Sequence, residues 1–259
     1  SVNALVCVSL GVVLVKRVSR EIVEARLKSR EMTPSKPCLL TTWMEDLNRT
    51  NDIRDIVTMS ADMILAGIDT TAFTSSFILY HLAQNDHQQQ LLFDELKTLL
   101  PTWDTPMTSE ILAKAGFLKR VVKESLRLNP ISIGVGRQLT QDGIIGGHHI
   151  PQGTVIVTQN QVTCRLEEYF EKPNEFLPER WDPKNRGKRP HPYTMIPFGH
   201  GPRACIGRRL AEQNIYIVVA KLLRRFHVKW QGSRKLDSLS QTINKPDSPL
   251  KFVFTPRIE

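Results

Sequence analysis

The chain has 259 residues, of which 41% are hydrophobic and 24% charged, a balance that describes a globular protein and excludes a disordered one. Its net charge is +9, and residues 183–235 alone carry +12, from 13 Lys/Arg against the single acid Glu212. A surface that basic suits an acidic partner; the stretch has no interleaved stacking aromatics and resembles no nucleic-acid module, which argues against DNA and RNA.

Residues 4–15 form an apolar run, short of the ~18–20 residues that cross a bilayer. An anchor remnant, a signal-like segment and a buried helix all remain open for it, and residues 1–17 are left as an unplaced segment. An amphipathic, charge-rich helix is expected over residues 18–30. A loop follows over 33–43, broken by Pro34 and Pro37. Residues 52–84 read as one long helix on Ile53, Ile56, Val57, Met63 and Ile64. Its middle, AGIDTT at 66–71, is unusual, because a helical glycine costs about 1 kcal/mol relative to alanine and threonines bond back to earlier carbonyls. Alone, that hexapeptide reads as a kinked core helix with a solvated acid.

Asp86 is expected to cap a helix carried by Leu91, Leu92, Leu96 and Leu99. A turn spans 101–106, a short helix follows Thr108, and another helix covers 117–128 before Pro130. Strands are expected between Val135 and Thr158, with Gly146, Gly147 and Gly153 in the turns. Residues 167–197 are crowded with proline and largely irregular. A last helix runs to about Arg225, followed by strand-like pieces at 226–230 and 251–254. The fold class is mainly α with a minor β-sheet.

Four cysteines (Cys7, Cys38, Cys164, Cys205) stand far apart with no C-x-x-C pair, which argues against a zinc ribbon or a disulfide scaffold and fits a reducing compartment. His87, His148, His149, His191 and His227 share no metal-ligand spacing, and His200 with one cysteine cannot close a zinc site. Cys205 lies in FGHGPRACIG at 198–207, where glycines admit close backbone approach, Arg203 supplies a cation, and a helix N-terminus follows. A lone cysteine is most often a buried small hydrophobe. The ten-residue pattern F-x-x-G-x-R-x-C-x-G is far more specific: it resembles the haem-ligand signature of the cytochrome P-450 monooxygenases.

That resemblance implies the following. Cys205 is the axial ligand of haem b iron, Arg203 pairs with a propionate, and Phe198 packs beside the thiolate, with Gly207 closing the loop. Glu124 and Arg127 (E-x-x-R) with Arg180 in PERW at 178–181 form a buried ionic triad, Trp181 standing where phenylalanine is more usual. Asp69 and Thr70 deliver protons to dioxygen, with Gly67 clearing space above it. Arg137 contacts a second propionate, and residues 130–136 and 243–246 line a substrate cavity, where Ser132, Gly134 and Gly136 leave room for a bulky substrate.

Lys119 and Lys123 on the E-x-x-R helix, with Arg208 and Arg209 after the haem loop, resemble the mitochondrial branch, whose electron donor is an acidic adrenodoxin-type ferredoxin; Gln213 departs from the usual acid. Longer strings (KESLRLNP at 123–130, Gln138, TQN at 158–160, CRLE at 164–167, AEQN at 211–214, INKPD at 243–247) are similar to the ecdysteroid 22-hydroxylases of arthropod mitochondria. The implied reaction is C22 hydroxylation of an apolar sterol side chain with O2, on the matrix side of the inner membrane and with possible peripheral membrane contact. Members of the family are twice as long. Residues 18–259 therefore correspond to the C-terminal half of the fold, a partial domain running from the oxygen-activating helix to the end. The resemblance implies that this length alone neither folds stably nor turns over substrate; the alternative to a monooxygenase is a truncated, inactive fragment that keeps only the docking face.

Overall fold

The structure, a computed structural model, describes residues 2–28, 39–46, 52–188 and 190–257. The chain divides into two compact units, Ser1–Asp69 and Thr70–Glu259.

The first unit holds α1 (Val2–Lys28), α2 (Leu39–Asp46) and the start of α3 (Ile53–Gln84). α1 is one continuous helix, joining the apolar run to the amphipathic stretch; residues 29 and 30 lie outside the described part. α2 replaces the end of the expected loop, whose residues 33–38 also lie outside it. The reason is a helical stripe: Leu40 and Trp43, three apart, pack on the buried Val23, Ile56 and Val57.

In the second unit, α3 continues into α4 (Asp86–Leu99), α5 (Ser109–Lys114), α6 (Gly116–Leu128), α7 (Asn160–Thr163) and α8 (Arg208–Arg225). Four short antiparallel ribbons accompany them: β1 (Val135–Gln138) with β4 (Val155–Thr158), and β2 (Gly143–Ile145) with β3 (His148–Ile150). Nearer the end, β5 (Phe226–Trp230) pairs with β8 (Phe252–Pro256), and β6 (Ser238–Ser240) with β7 (Asn244–Pro246). The architecture is mainly α with minor β. By length and composition α3 could cross a bilayer. Its C-terminal part is instead core, since Phe77, Ile78 and Leu82 are 0% exposed.

The main core joins α3, α4, α6 and α8 through Leu82, Leu92, Leu96, Leu118, Val121, Ile215, Val219 and Leu223. α6 buries Phe117, Leu118, Val121, Val122, Ser125 and Leu128, spaced at three and four, and turns Lys123 outward. Polar side chains fix the joints. Glu95 of α4 accepts from the backbone N–H of Phe117 (2.7 Å) and Leu118 (2.9 Å), supplying the N-terminal cap that Ala115 cannot. Gln89, fully buried, donates to the Val228 carbonyl (2.9 Å) and accepts from its N–H (2.8 Å), so α4 serves as an extra edge for β5.

The short helix expected after Thr108 is α5, and Thr108 caps it, accepting from Ile111 N–H at 3.3 Å. Asp86 does not cap α4. The N-cap is Asn85, and Asp86 is the first helical residue. Because α3 ends one residue earlier, the Asn85 amide is taken up donating to the His81 carbonyl (2.7 Å).

Gly134 is also not the open position that the sequence implied. A Cβ there would lie 1.9 Å from the Thr158 carbonyl oxygen, so β4 backbone already fills the space, whereas Gly136 has no heavy atom within 4 Å. Gly134→Ala must push β4 off β1 and is expected to lose about 1–3 kcal/mol by denaturant titration, with Gly136→Ala near neutral. Equal losses would show that strand propensity, not the close approach, sets the cost.

Candidate active site

The cysteine loop is built by two left-handed glycines, Gly199 (φ 73°) and Gly201 (φ 76°), a conformation that L side chains resist. They fold the loop so that Cys205 N–H donates to the Phe198 carbonyl at 2.8 Å and Ala204 N–H to that of Gly201 at 2.9 Å. Gly207 then starts α8 as its N-cap, and a Cβ there would sit 4.0 Å from Cys205 Sγ. The two cysteines of the second unit contrast. Cys164 is 1% exposed and burial pushes its thiol up to about 11, as for an inert core cysteine. Cys205 is exposed. Phe198 turns its ring into the core instead, with the Arg208 guanidinium 5.3 Å from its centroid.

β1 runs alongside the loop. Arg137 donates to the His200 carbonyl at 3.3 Å, and a Cβ on Gly199 would meet Val135 at 3.9 Å. Arg137 and Arg203 are both exposed, as is Ile206 (82%), between Cys205 and Gly207. An exposed thiol, an exposed apolar neighbour and two guanidiniums at one loop form a donor set that fits haem b, a flat apolar macrocycle with two carboxylates and a central iron. The residues that would hold it are Cys205, Arg137 and Arg203.

Asp69 and Thr70 stand side by side on α3, Asp69 exposed and Thr70 half-buried. α3 is assigned as one helix from Ile53 through Gln84, AGIDTT included. Back-bonding does occur one turn on: Thr74 donates to the Thr70 carbonyl (2.7 Å) and Ser75 to that of Thr71 (2.9 Å). The two segments expected to line a cavity meet where Asn244, 0% exposed, donates from its backbone N–H to the Ile131 carbonyl (2.9 Å) and from its side-chain amide to that of Pro130 (2.7 Å).

The Glu124, Arg127 and Arg180 side chains do come together. Arg127 and Glu124 are 0% exposed and joined by two bonds of 2.9 and 3.0 Å, and Arg180 Nε reaches Glu124 Oε1 at 2.9 Å. The guanidiniums then gather the meander: Arg127 donates to the carbonyls of Cys164, Pro173 and Glu175, and Arg180 to those of Glu171 and Lys172. Lys172 (φ 48°) is left-handed without being glycine, a strained turn that these bonds offset. Trp181, read as a mild departure, adds a fourth member, donating Nε1–H to Glu124 Oε2 at 2.8 Å.

Lys119, Lys123 and Arg208 line one groove of about 780 Å³ with Tyr193, His200 and Tyr216; Arg209 is exposed outside that lining. Lys119 donates to the Ala113 carbonyl (3.0 Å), and Arg208 pairs with Glu212 (3.1 Å). Part of the basic stretch proves structural, which charge counting alone misses. Arg224, 3% exposed, donates to the Leu100 and Pro101 carbonyls, and Lys221 to those of Trp103 and Thr105. Arg234 pairs with Asp247 at 2.8 Å. A signal for Arg224 was present in the sequence, since it follows Val219, Ala220 and Leu223 on the buried face of α8.

Comparison with known proteins agrees with this geometry. The family model "Cytochrome P450" matches residues 13–254. The Drosophila melanogaster protein "Cytochrome P450 302a1, mitochondrial" is 43% identical over 235 residues, 90% of this chain and 47% of the relative. "Probable cytochrome P450 12a5, mitochondrial" of the same species is 39% identical over 76% of this chain and 39% of its own. "Cytochrome P450 CYP12A2" of Musca domestica is 34% identical over 91% and 45%. The chain thus spans about half the length of the curated relatives it matches. The family model covers most of the chain and the 302a1 relative matches 90% of it, so the chain belongs to the cytochrome P450 family.

Proposed function

We propose that this chain is the haem-binding part of a mitochondrial monooxygenase that hydroxylates an apolar sterol of the ecdysteroid class at C22, drawing electrons from an acidic ferredoxin. The observation that carries the reading is the uncovered Cys205 thiol, which a structural role would bury as Cys164 is buried. Bound haem would supply the activation of O2, with Cys205 as the residue that would hold its iron. The chain's own part is positional. Cys205 would hold the haem iron and Arg137 and Arg203 its propionates; Asp69 and Thr70 would move protons, the Asp69 carboxyl taking up and passing on a proton through the Thr70 hydroxyl. The Glu124–Arg127–Arg180 triad keeps the meander rigid behind the loop.

Mitochondrial location is supported by the names of the relatives, two of which carry that word. The C22 sterol assignment rests on the strings at 123–130, 158–167 and 243–247. A ferredoxin partner is supported by the groove that collects Lys119, Lys123 and Arg208, since docking between opposite charges steers association and weakens with salt.

The test is the carbon monoxide difference spectrum of the reduced, haem-reconstituted chain. A thiolate-type Soret band supports the ligand assignment and overturns the expectation that this length alone is incompetent; the band is expected to be lost in Cys205→Ala and converted to an imidazole-type band in Cys205→His. Retention of the thiolate band in either variant overturns the ligand assignment, and no haem uptake by the parent chain supports an inactive docking fragment instead. Turnover of an ecdysteroid precursor lacking the C22 hydroxyl tests the substrate.

A further inference from the structure

We propose that Trp181 is a positioning residue for electron-donor docking: its indole ring fixes the Lys123 ammonium at the wall of the basic groove. The inference rests on the docking role proposed for that groove. Lys123 Nζ lies 3.9 Å from the centroid of the Trp181 ring, inside the range in which a cation is attracted to a ring face. The ring itself is immobile. Trp181 is 7% exposed, its N–H is held by Glu124 Oε2 at 2.8 Å, and its edge meets Phe170 at 6.1 Å between centroids. Glu124 in turn is clamped by Arg127, Arg180 and the Leu177 N–H (3.0 Å).

Glu124 and Lys123 are adjacent on α6, one facing inward and one outward, and Trp181 touches both. It thereby carries the rigidity of the buried triad to a surface cation. The three groove cations differ in what holds them. Lys119 reaches a backbone carbonyl and Arg208 a carboxylate, and the Lys123 ammonium sits over an aromatic face. A lysine already confined to one place loses less freedom when an acidic partner arrives. The class of partner is an acidic protein carrying its own redox centre, and the gain from Trp181 is affinity and salt sensitivity.

The experiment measures the affinity of the full chain for an acidic [2Fe–2S] ferredoxin across a salt series. Lys123→Gln is expected to weaken binding about 3- to 10-fold and to flatten the salt dependence. Trp181→Leu is expected to match it in both respects, and the double variant to be no worse than either single one. Fluorinated tryptophans placed at 181 keep size and N–H while draining the ring face, so they test the idea without threatening the fold; docking must weaken in step with fluorination. Unchanged affinity along the fluorinated series, or independent multiplication of the two single effects, overturns the proposal. If Lys123→Gln itself leaves binding unchanged, it is the docking reading of the groove that fails.

Discussion

Glu124→Ala is expected to lose about 3–5 kcal/mol of folding stability, the largest effect of any single substitution considered for this chain, by denaturant unfolding at neutral pH. The carboxylate is 0% exposed and accepts from Arg127, Arg180, the Leu177 N–H and the Trp181 indole. Its loss leaves the Arg127 guanidinium, also 0% exposed, without a counter-charge inside the protein. Bonds to the carbonyls of Cys164, Pro173 and Glu175 remain, so the cation is stranded yet still solvated by dipoles. Glu124→Gln keeps volume and one acceptor, and its loss should be smaller. Arg127→Lys should behave like the severe variant, because one ammonium cannot span two carboxylate oxygens and three carbonyls in fixed directions. Glu124→Ala at parental stability would mean that the meander at 171–182 is held by packing of Phe170, Phe176 and Trp181 rather than by charge.

What was legible in the sequence were the residues whose chemistry demands a fixed local string. The cysteine loop is such a case, since its two left-handed glycines and following helix are all within ten residues. The triad was legible only through the resemblance: ESLR at 124–127 alone reads as a surface ion pair, and it is the match of this string and of PERW at 178–181 to family elements that implies a buried triad. What escaped was side-chain use that depends on a distant partner. Nothing near Glu95 marks it as the cap of a helix that begins 21 positions later. Gly134 reads as space until β4 is placed against it, and the +12 stretch reads as one docking face until Lys221 and Arg224 are seen bonded inward. Trp181 escaped because a family position usually filled by phenylalanine gives no cue to an indole N–H.

Stability of the chain is expected to fall as pH drops from about 6.5 to about 4, by up to about 3 kcal/mol from His81 alone. Burial is the main cause, pushing the His81 imidazole down to about 4. It stacks on Phe176 at 5.0 Å with rings 7° apart, and its Nε2 meets Asn129 Oδ1 at 2.8 Å. The Asn129 bond and the Glu124 carboxylate pull the other way, while the Arg165 and Arg127 cations add to the depression. The sign follows from which state takes the proton. Unfolded, the imidazole is protonated below about 6.5; folded, it stays neutral until about 4, so in that window acid favours the unfolded chain and below it the loss is complete. His81→Gln keeps a donor for Asn129 and removes the titration, so subtracting its pH profile from the parent's isolates this residue from the exposed carboxylates. A difference that stays flat between pH 4 and 7 would show that the α3–α6 joint opens to admit a charged imidazole. The expected slope instead marks the joint formed by the turn of α3 that carries His81 and by Asn129 just past Arg127 as one that stays closed on a neutral imidazole.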